Sequence, residues 1–152
     1  MNSWWLELWA APAALGFALL FNVPPRALWM CGLLAIVGHA LRKAVMAMNG
    51  DIVLGTLLAA LLIGLLAEWW AGRRNEPAQI YAISAAIPMV PGTFMYKSVQ
   101  ALLGIATMPA GQNGQDLLVS AGVSGVKAVM IVVALAFGTG IAALLWPKRN
   151  VV

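Results

Sequence analysis

An apolar stretch interrupted by prolines, Ile80 to Ile105, most constrains what this chain can fold into. It is longer than the roughly 20 residues that a helix needs to cross the hydrocarbon core of a bilayer. Within it stand Pro88, Pro91 and Gly92, and a proline has no N–H to donate to the carbonyl four residues earlier. Because glycine lets the backbone turn, we predict two half-helices joined by a break at membrane depth.

Such a break predicts a binding site. Interrupted helices are stable in a membrane only where they are buried in protein or line a wet cavity, and transporters build substrate sites from them. The amides of Gly92, Thr93 and Phe94 would begin the second half-helix, and a helix N-terminus favours anions. Lys97 follows about one helical turn later. A helix-capping role for Thr93 is the alternative to ligand binding.

The composition places the chain among membrane proteins. Apolar residues make up 62% of it and charged residues 9%, whereas about a quarter of the residues in a soluble domain are charged. The net charge of +4 is therefore a topology signal first, and we predict no nucleic-acid partner. The single cysteine, Cys31, excludes a disulfide within the chain.

The pattern predicts an all-α, polytopic membrane protein with one transmembrane domain over residues 1–152. About five spans are expected, and the fourth is broken at the Pro-x-x-Pro-Gly segment. They run at about Trp5–Asn22, Ala27–Met48, Ile52–Trp70, Ile80–Ile105 and Asp116–Trp146. A polar turn at Asn49-Gly50-Asp51 separates the second span from the third, and a loop starting at Gly72 separates the third from the fourth. The N-terminus lacks a basic region typical of a cleaved signal peptide, so we expect it to be retained.

The charges also predict the orientation in the membrane. Five spans place the basic loops and tail on one side and three acidic residues on the other. The basic groups are Arg26, Arg73, Arg74, Lys148 and Arg149, and the acidic ones are Glu7, Asp51 and Asp116. We therefore expect a multi-pass protein with its N-terminus outside and its C-terminus in the cytoplasm.

Several basic side chains lie inside the predicted spans. His39, Arg42, Lys97 and Lys127 fall at similar depths, and those of His39, Lys97 and Lys127 are about 12 to 17 Å from the outer ends of their helices. A charge at the bilayer centre costs at least about 3 kcal/mol, and we find no acidic residue at that depth. An excess of buried positive charge implies an anionic ligand. The predicted substrate-binding residues are His39, Arg42, Pro88, Pro91, Gly92, Thr93, Lys97 and Lys127.

Alternatives stay open for some of these residues. His39 is also compatible with a hydrogen-bonded core histidine, or with a proton-binding role. Lys127 is also compatible with pairing to a backbone carbonyl or to another subunit. Lys43 is expected to point away from the face of His39 and to reach the membrane interface. Small residues at four-residue spacing, such as Ala60/Gly64 and Ala134/Gly138/Ala142, predict close helix packing.

Enzyme chemistry has little support in this sequence. It contains no second histidine for a metal site, no Ser/His/Asp set at a plausible depth and no paired carboxylates. We predict no catalytic residue, no metal and no cofactor.

Three motifs resemble the threonine/serine exporter family, in its small, C-terminal-half (YjjB-like) type. They are Phe21-Asn22-Val23-Pro24-Pro25-Arg26-Ala27-Leu28, Gly38-His39-Ala40-Leu41-Arg42 and Ile87-Pro88-Met89-Val90-Pro91-Gly92. The resemblance runs from about Leu15 to Trp146. It implies a two-component exporter of small carboxylate-bearing metabolites in the bacterial inner membrane. A larger membrane subunit, fused or separate, supplies the other half in that family.

The substrate stays open between two classes. A zwitterion such as threonine or serine would use the amides at Gly92–Phe94 and the carbonyls freed by the prolines, leaving Arg42, Lys97 and Lys127 surplus. A dicarboxylate such as succinate uses these cations better, so we slightly favour a dianion. A different possibility is a non-transporting scaffold or assembly subunit, whose basic residues bind acids on a partner or anionic lipid. The oligomeric state is open.

Overall fold

The structure, a computed structural model, describes residues 4–109 and 112–145. Every described element is helical, which confirms the all-α prediction. Short 3-10 helices at Trp4–Trp9 and Ile87–Met89 accompany six α-helices. These are α1 (Ala10–Leu20), α2 (Pro25–Ala47), α3 (Ile52–Arg74), α4 (Gln79–Ala86), α5 (Gly92–Ala106) and α6 (Gln115–Leu145).

Three of the helices, α2, α3 and α6, are long and apolar enough to cross a membrane. Two shorter apolar helical segments run over Trp5–Leu20 and Gln79–Met89. The predicted topology of five spans therefore stays a prediction. The apolar helices nonetheless identify a membrane-embedded protein.

The chain divides into two compact units. The first comprises the described parts of Met1–Val90 and Ala134–Val152, and the second is Pro91–Val133, whose described residues exclude 110 and 111. The boundaries along the chain thus fall between Val90 and Pro91 and between Val133 and Ala134. The single transmembrane domain over residues 1–152 stays a prediction.

Local sequence signals explain most helix ends in the first unit. Pro25 begins α2, where its missing N–H is harmless. The Asp51 carboxylate caps α3 by accepting a hydrogen bond from the Val53 amide at 3.1 Å. Before it, Asn49 adopts a left-handed conformation with φ 62°, which confirms the predicted polar turn.

The end of α3 corrects one prediction. The loop was expected to begin at Gly72, but the helix continues through Arg74 and ends at Asn75, which adopts a left-handed conformation at φ 54°, ψ 41°. A single glycine is tolerated within a helix at a cost of about 1 kcal/mol relative to alanine. The helix stops at the asparagine because that residue enters the left-handed region readily.

Small residues let α3 and the C-terminal part of α6 pack closely within the first unit. A Cβ added at Gly64 would lie 2.5 Å from the Ala142 Cβ, and one added at Gly138 would lie 2.6 Å from the Ala60 Cβ. The predicted close approach is confirmed for these two pairs. Such contacts hold helices together in lipid, where burial of apolar surface gives no net driving force.

The second unit consists of α5 and the N-terminal part of α6. The Ser98 hydroxyl donates a hydrogen bond to the Ala121 carbonyl at 2.9 Å, and a Cβ added at Gly104 would contact Leu117 at 3.1 Å. A groove of about 420 Å³ follows both helices and is lined mainly by apolar side chains, including Met95, Val99 and Val129.

Candidate functional site

The segment between α4 and α5 departs from helical geometry over a few residues. After α4 ends at Ala86, the 3-10 helix Ile87–Met89 follows, and Val90 is extended at φ −58°, ψ 133°. Pro91 then precedes α5 at φ −79°, ψ 54°. The location of this segment at membrane depth stays a prediction.

The first turn of α5 carries amides without helical acceptors. The first helical hydrogen bond runs from the Met95 amide to the Pro91 carbonyl at 3.0 Å, so the amides of Gly92, Thr93 and Phe94 precede it. None of the three donates to another described residue. Gly92 and Thr93 are exposed, and such amides favour an anion.

The structure does not support a capping role for Thr93. The N-cap position of α5 is Pro91, which makes no side-chain capping bond, and Thr93 is the second residue of the helix. Its hydroxyl makes no hydrogen bond to another described residue and stays available to a ligand.

Arg42 connects α2 to the segment that follows α4. Its guanidinium donates a hydrogen bond to the Met89 carbonyl at 3.4 Å. Gly38, one turn earlier, makes this approach possible: an added Cβ would meet the Ile63 side chain and would lie 3.2 Å from the Met89 Cε. Arg42 therefore contacts Met89, and Gly38 leaves the space that the Met89 side chain occupies. In the described part of the chain, no carboxylate pairs with Arg42.

Beside Arg42, a carboxylate from the N-terminal 3-10 helix meets two basic residues of α2. Glu7 Oε2 lies 3.3 Å from His39 Nδ1, and Glu7 Oε1 lies 3.1 Å from Lys43 Nζ. The three side chains are mostly buried, with 20%, 12% and 23% of their surfaces exposed. The His39 Nε2 atom is buried without a partner among the described residues.

This cluster corrects two predictions. We expected Glu7 at the outer membrane face and no acidic residue near the buried cations, but Glu7 contacts both His39 and Lys43. We also expected Lys43 to point away from the face of His39. Residues four apart are neighbours on a helix surface, so both side chains reach the same carboxylate. One predicted substrate-binding residue, His39, therefore already has a carboxylate neighbour within the protein.

The remaining predicted cations lie in the second unit. Lys97 of α5 and Lys127 of α6 are both exposed, and Lys127 Nζ lies 5.9 Å from the centre of the Phe94 ring. Neither lysine has a carboxylate partner among the described residues. The groove along these helices is lined by none of the predicted basic residues.

The eight predicted residues thus fall into separate groups. His39, Arg42 and Pro88 belong to the first unit, whereas Pro91, Gly92, Thr93, Lys97 and Lys127 belong to the second. Their convergence on one substrate stays a prediction.

Sequence reasoning missed Glu7 as the partner of His39. The available signal was an acidic residue in the apolar run Trp4–Trp9, because such a group needs a partner. Within residues 4–109 and 112–145, no three His, Cys, Asp or Glu side chains come together as metal ligands.

Long apolar helices with basic side chains within them indicate a membrane-embedded protein. The family described as Threonine/Serine exporter, ThrE, matches residues 7–145, and the chain belongs to this transporter family. The resemblance in the sequence motifs is thereby confirmed.

A relative of this chain is an uncharacterized protein of Haemophilus influenzae, which is 33% identical over 143 residues. The match covers 94% of this chain and 47% of the relative, so the chain spans about half the length of that curated relative. No solved structure matches the chain.

Proposed function

We propose that this chain is the small membrane subunit of a two-component exporter of small carboxylate metabolites, acting with a larger membrane subunit. Membership of the threonine/serine exporter family supports the exporter role. The length of the Haemophilus influenzae relative supports the second component, because about half of that protein has no counterpart in this chain. The proposed location is the bacterial inner membrane, with the N-terminus outside and the C-terminus in the cytoplasm.

The contact between Arg42 and the Met89 carbonyl carries the site proposal. A guanidinium has five N–H donors in a planar fork that matches a carboxylate, and one bond to a carbonyl leaves most of them available. The Met89 carbonyl belongs to the last residue of the 3-10 helix Ile87–Met89, two residues before Pro91. An arriving carboxylate would replace the long 3.4 Å bond with a shorter one in which donor and acceptor are both charged.

The other proposed contacts of the substrate are with backbone amides and basic groups that have no acceptor or carboxylate partner among the described residues. The amides of Gly92, Thr93 and Phe94 would donate hydrogen bonds to one carboxylate, with Pro88 and Pro91 keeping the backbone non-helical around them. Lys97 and Lys127 would attract a second negative charge. His39, whose Nδ1 faces Glu7, would donate from its unpartnered Nε2 to a carboxylate only in the protonated form, in which both ring nitrogens are donors.

The balance of charge favours a dicarboxylate such as succinate over threonine or serine. Glu7 compensates the positive charge of Lys43, but Arg42, Lys97 and Lys127 form no ion pair in the described ranges, and Glu7 acts on Arg42 only at longer range. A zwitterion brings an ammonium group that these cations would repel. Export would proceed by rocking around the segment between α4 and α5, driven by the proton gradient.

Efflux measurements test this function. Cells lacking other exporters would carry both subunits and be loaded with labelled succinate or threonine. We expect Arg42→Gln and Lys97→Gln to reduce efflux of succinate more than efflux of threonine at equal membrane abundance. Gln100→Ala, at an exposed polar residue on α5, serves as the control and should leave both rates unchanged.

Two results would contradict the proposal. Unchanged efflux of both substrates in both variants would remove the site. Full efflux from cells that carry the larger subunit alone would instead make this chain a scaffold or assembly subunit.

A further inference from the structure

The last turn of α3 places two arginines over tryptophan rings. Arg73 Cζ lies 4.0 Å from the centre of the Trp69 ring, and Arg74 Cζ lies 5.2 Å from the Trp70 ring. Trp29 of α2 meets Trp70 edge to face, with ring centres 5.1 Å apart. Together these five residues form the α3 basic–aromatic surface, in which the rings hold the guanidinium groups at fixed positions.

The two guanidinium groups have hydrogen-bond donors to spare. Over the described parts of the chain, neither Arg73 nor Arg74 takes part in an ion pair. The nearby Glu76 carboxylate is already occupied, since it pairs with Arg26 at 2.8 Å and accepts a hydrogen bond from the Tyr81 hydroxyl. Glu68, in the preceding turns of α3, does not pair with either arginine. A cation–π contact uses the charge of the guanidinium but no acceptor atom. The surface therefore carries two uncompensated positive charges.

The surface lies at the end of a helix of membrane-spanning length. Asn75 ends α3 directly after the two arginines, and the Trp29 and Trp69 side chains are 52% and 40% exposed. Tryptophan is typical of the interface between hydrocarbon and headgroups. At that level arginine meets lipid phosphates, which it binds with two parallel hydrogen bonds.

We propose that the α3 basic–aromatic surface binds the headgroup phosphate of an anionic phospholipid. Arg73 and Arg74 hold the phosphate oxygens, and the exposed indole rings contact the glycerol and the first methylenes of the acyl chains. A free phosphate ion would gain nothing from these rings, so the combination of charge and apolar surface selects a lipid. This inference is independent of the exported substrate.

Lipid retention in native mass spectrometry tests the proposal. The full chain would be reconstituted with phosphatidylcholine and a minor fraction of phosphatidylglycerol. For Arg73→Gln combined with Arg74→Gln we expect a roughly 10- to 30-fold weaker apparent affinity for phosphatidylglycerol. The matched control is Lys148→Gln combined with Arg149→Gln, which removes the same charge from the tail and should have a much smaller effect.

Several results would overturn the proposal. They are equal losses in the two double variants, no preference of the wild-type chain for phosphatidylglycerol, or displacement of the lipid by inorganic phosphate. A phosphatidylglycerol probe with a photoreactive headgroup gives a second readout on the unmodified protein. Cross-links within 69–74 would support the proposal, whereas cross-links confined to other segments would overturn it.

Discussion

Glu7 and His39, 32 residues apart in the sequence, meet through a carboxylate oxygen and Nδ1 at 3.3 Å. The same carboxylate reaches Lys43, so one acidic side chain joins the N-terminal 3-10 helix to two turns of α2. At the N-terminal end of α2, Arg26 pairs with Glu76. Among the basic residues of α2, all of which are described, Arg42 alone makes no ion pair, and Glu7 acts on it only at longer range. Within α2, this distribution makes Arg42 the basic residue best suited to an incoming anion.

Replacing Glu7 tests the cluster. Glu7→Gln leaves the shape of the side chain but removes its charge, so His39 and Lys43 lose their common partner in a mostly buried place. We expect a loss of about 1–3 kcal/mol in the free energy of unfolding, measured as a lower midpoint for thermal unfolding in detergent. Asp116→Asn, at an exposed acid in the first turn of α6, should change the midpoint little. Equal midpoints for Glu7→Gln and the wild type would contradict the buried ion pairs.

Two glycines of α6 provide a matched test of helix packing. A Cβ at Gly138 would lie 2.9 Å from the Leu57 carbonyl oxygen and from the Leu61 amide nitrogen, both backbone atoms, whereas one at Gly140 would meet nothing within 4 Å. Gly138→Ala should therefore destabilise the protein by about 1–3 kcal/mol. Gly140→Ala should be neutral or stabilise by up to about 1 kcal/mol, through helix propensity.

Thermal unfolding of both glycine variants under identical conditions checks this prediction. If the two alanine substitutions shift the unfolding midpoint equally, α3 and the C-terminal part of α6 do not pack as closely as described.

Of the two contacts that the Glu76 carboxylate makes, the one with Tyr81 should contribute more to stability than the one with Arg26. The Tyr81 side chain is buried and donates its hydroxyl hydrogen to Glu76, whereas the Arg26 side chain is 69% exposed and its ion pair is screened by water. We expect Tyr81→Phe to lower the free energy of unfolding by about 1–3 kcal/mol and Arg26→Gln by less than about 1 kcal/mol. Chemical denaturation in mixed micelles can rank the two variants, and the opposite order would refute this assignment.

The prolines between α4 and α5 should matter for transport more than for folding. Pro88→Ala combined with Pro91→Ala restores two backbone donors and allows the helix to continue. We expect efflux to fall strongly while the amount of protein in the membrane is retained. Pro109→Ala changes an exposed loop proline and is the control. Normal efflux from the double variant would show that the interrupted geometry is not needed.

Local signals in the sequence predicted the helix ends and small-residue contacts well. Pro24-Pro25 and Asn49-Gly50-Asp51 favour helix boundaries through their own backbone preferences. In the structure α2 begins at Pro25, and the turn at Asn49 separates it from α3. The extension of α3 to Arg74 was not predicted, because a lone glycine is a weak stop signal.

The contacts of the candidate site were harder to predict. The partner of His39 depends on how the N-terminal segment folds back over α2, and no local pattern encodes that path. The acceptor for Arg42 is a backbone carbonyl, at Met89, and every residue carries such a group. The rise per residue of a helix predicts similar depths for the cations, but it cannot assign them to one site.

The central claim is that a substrate carboxylate binds Arg42 in the assembled exporter. Solid-state NMR can measure dipolar coupling between ¹³C-carboxyl-labelled succinate and ¹⁵N-labelled guanidinium groups in membranes that contain both subunits. We predict a direct coupling that disappears in Arg42→Gln and persists in Arg26→Gln. Bound succinate whose couplings are unchanged by Arg42→Gln would contradict the account.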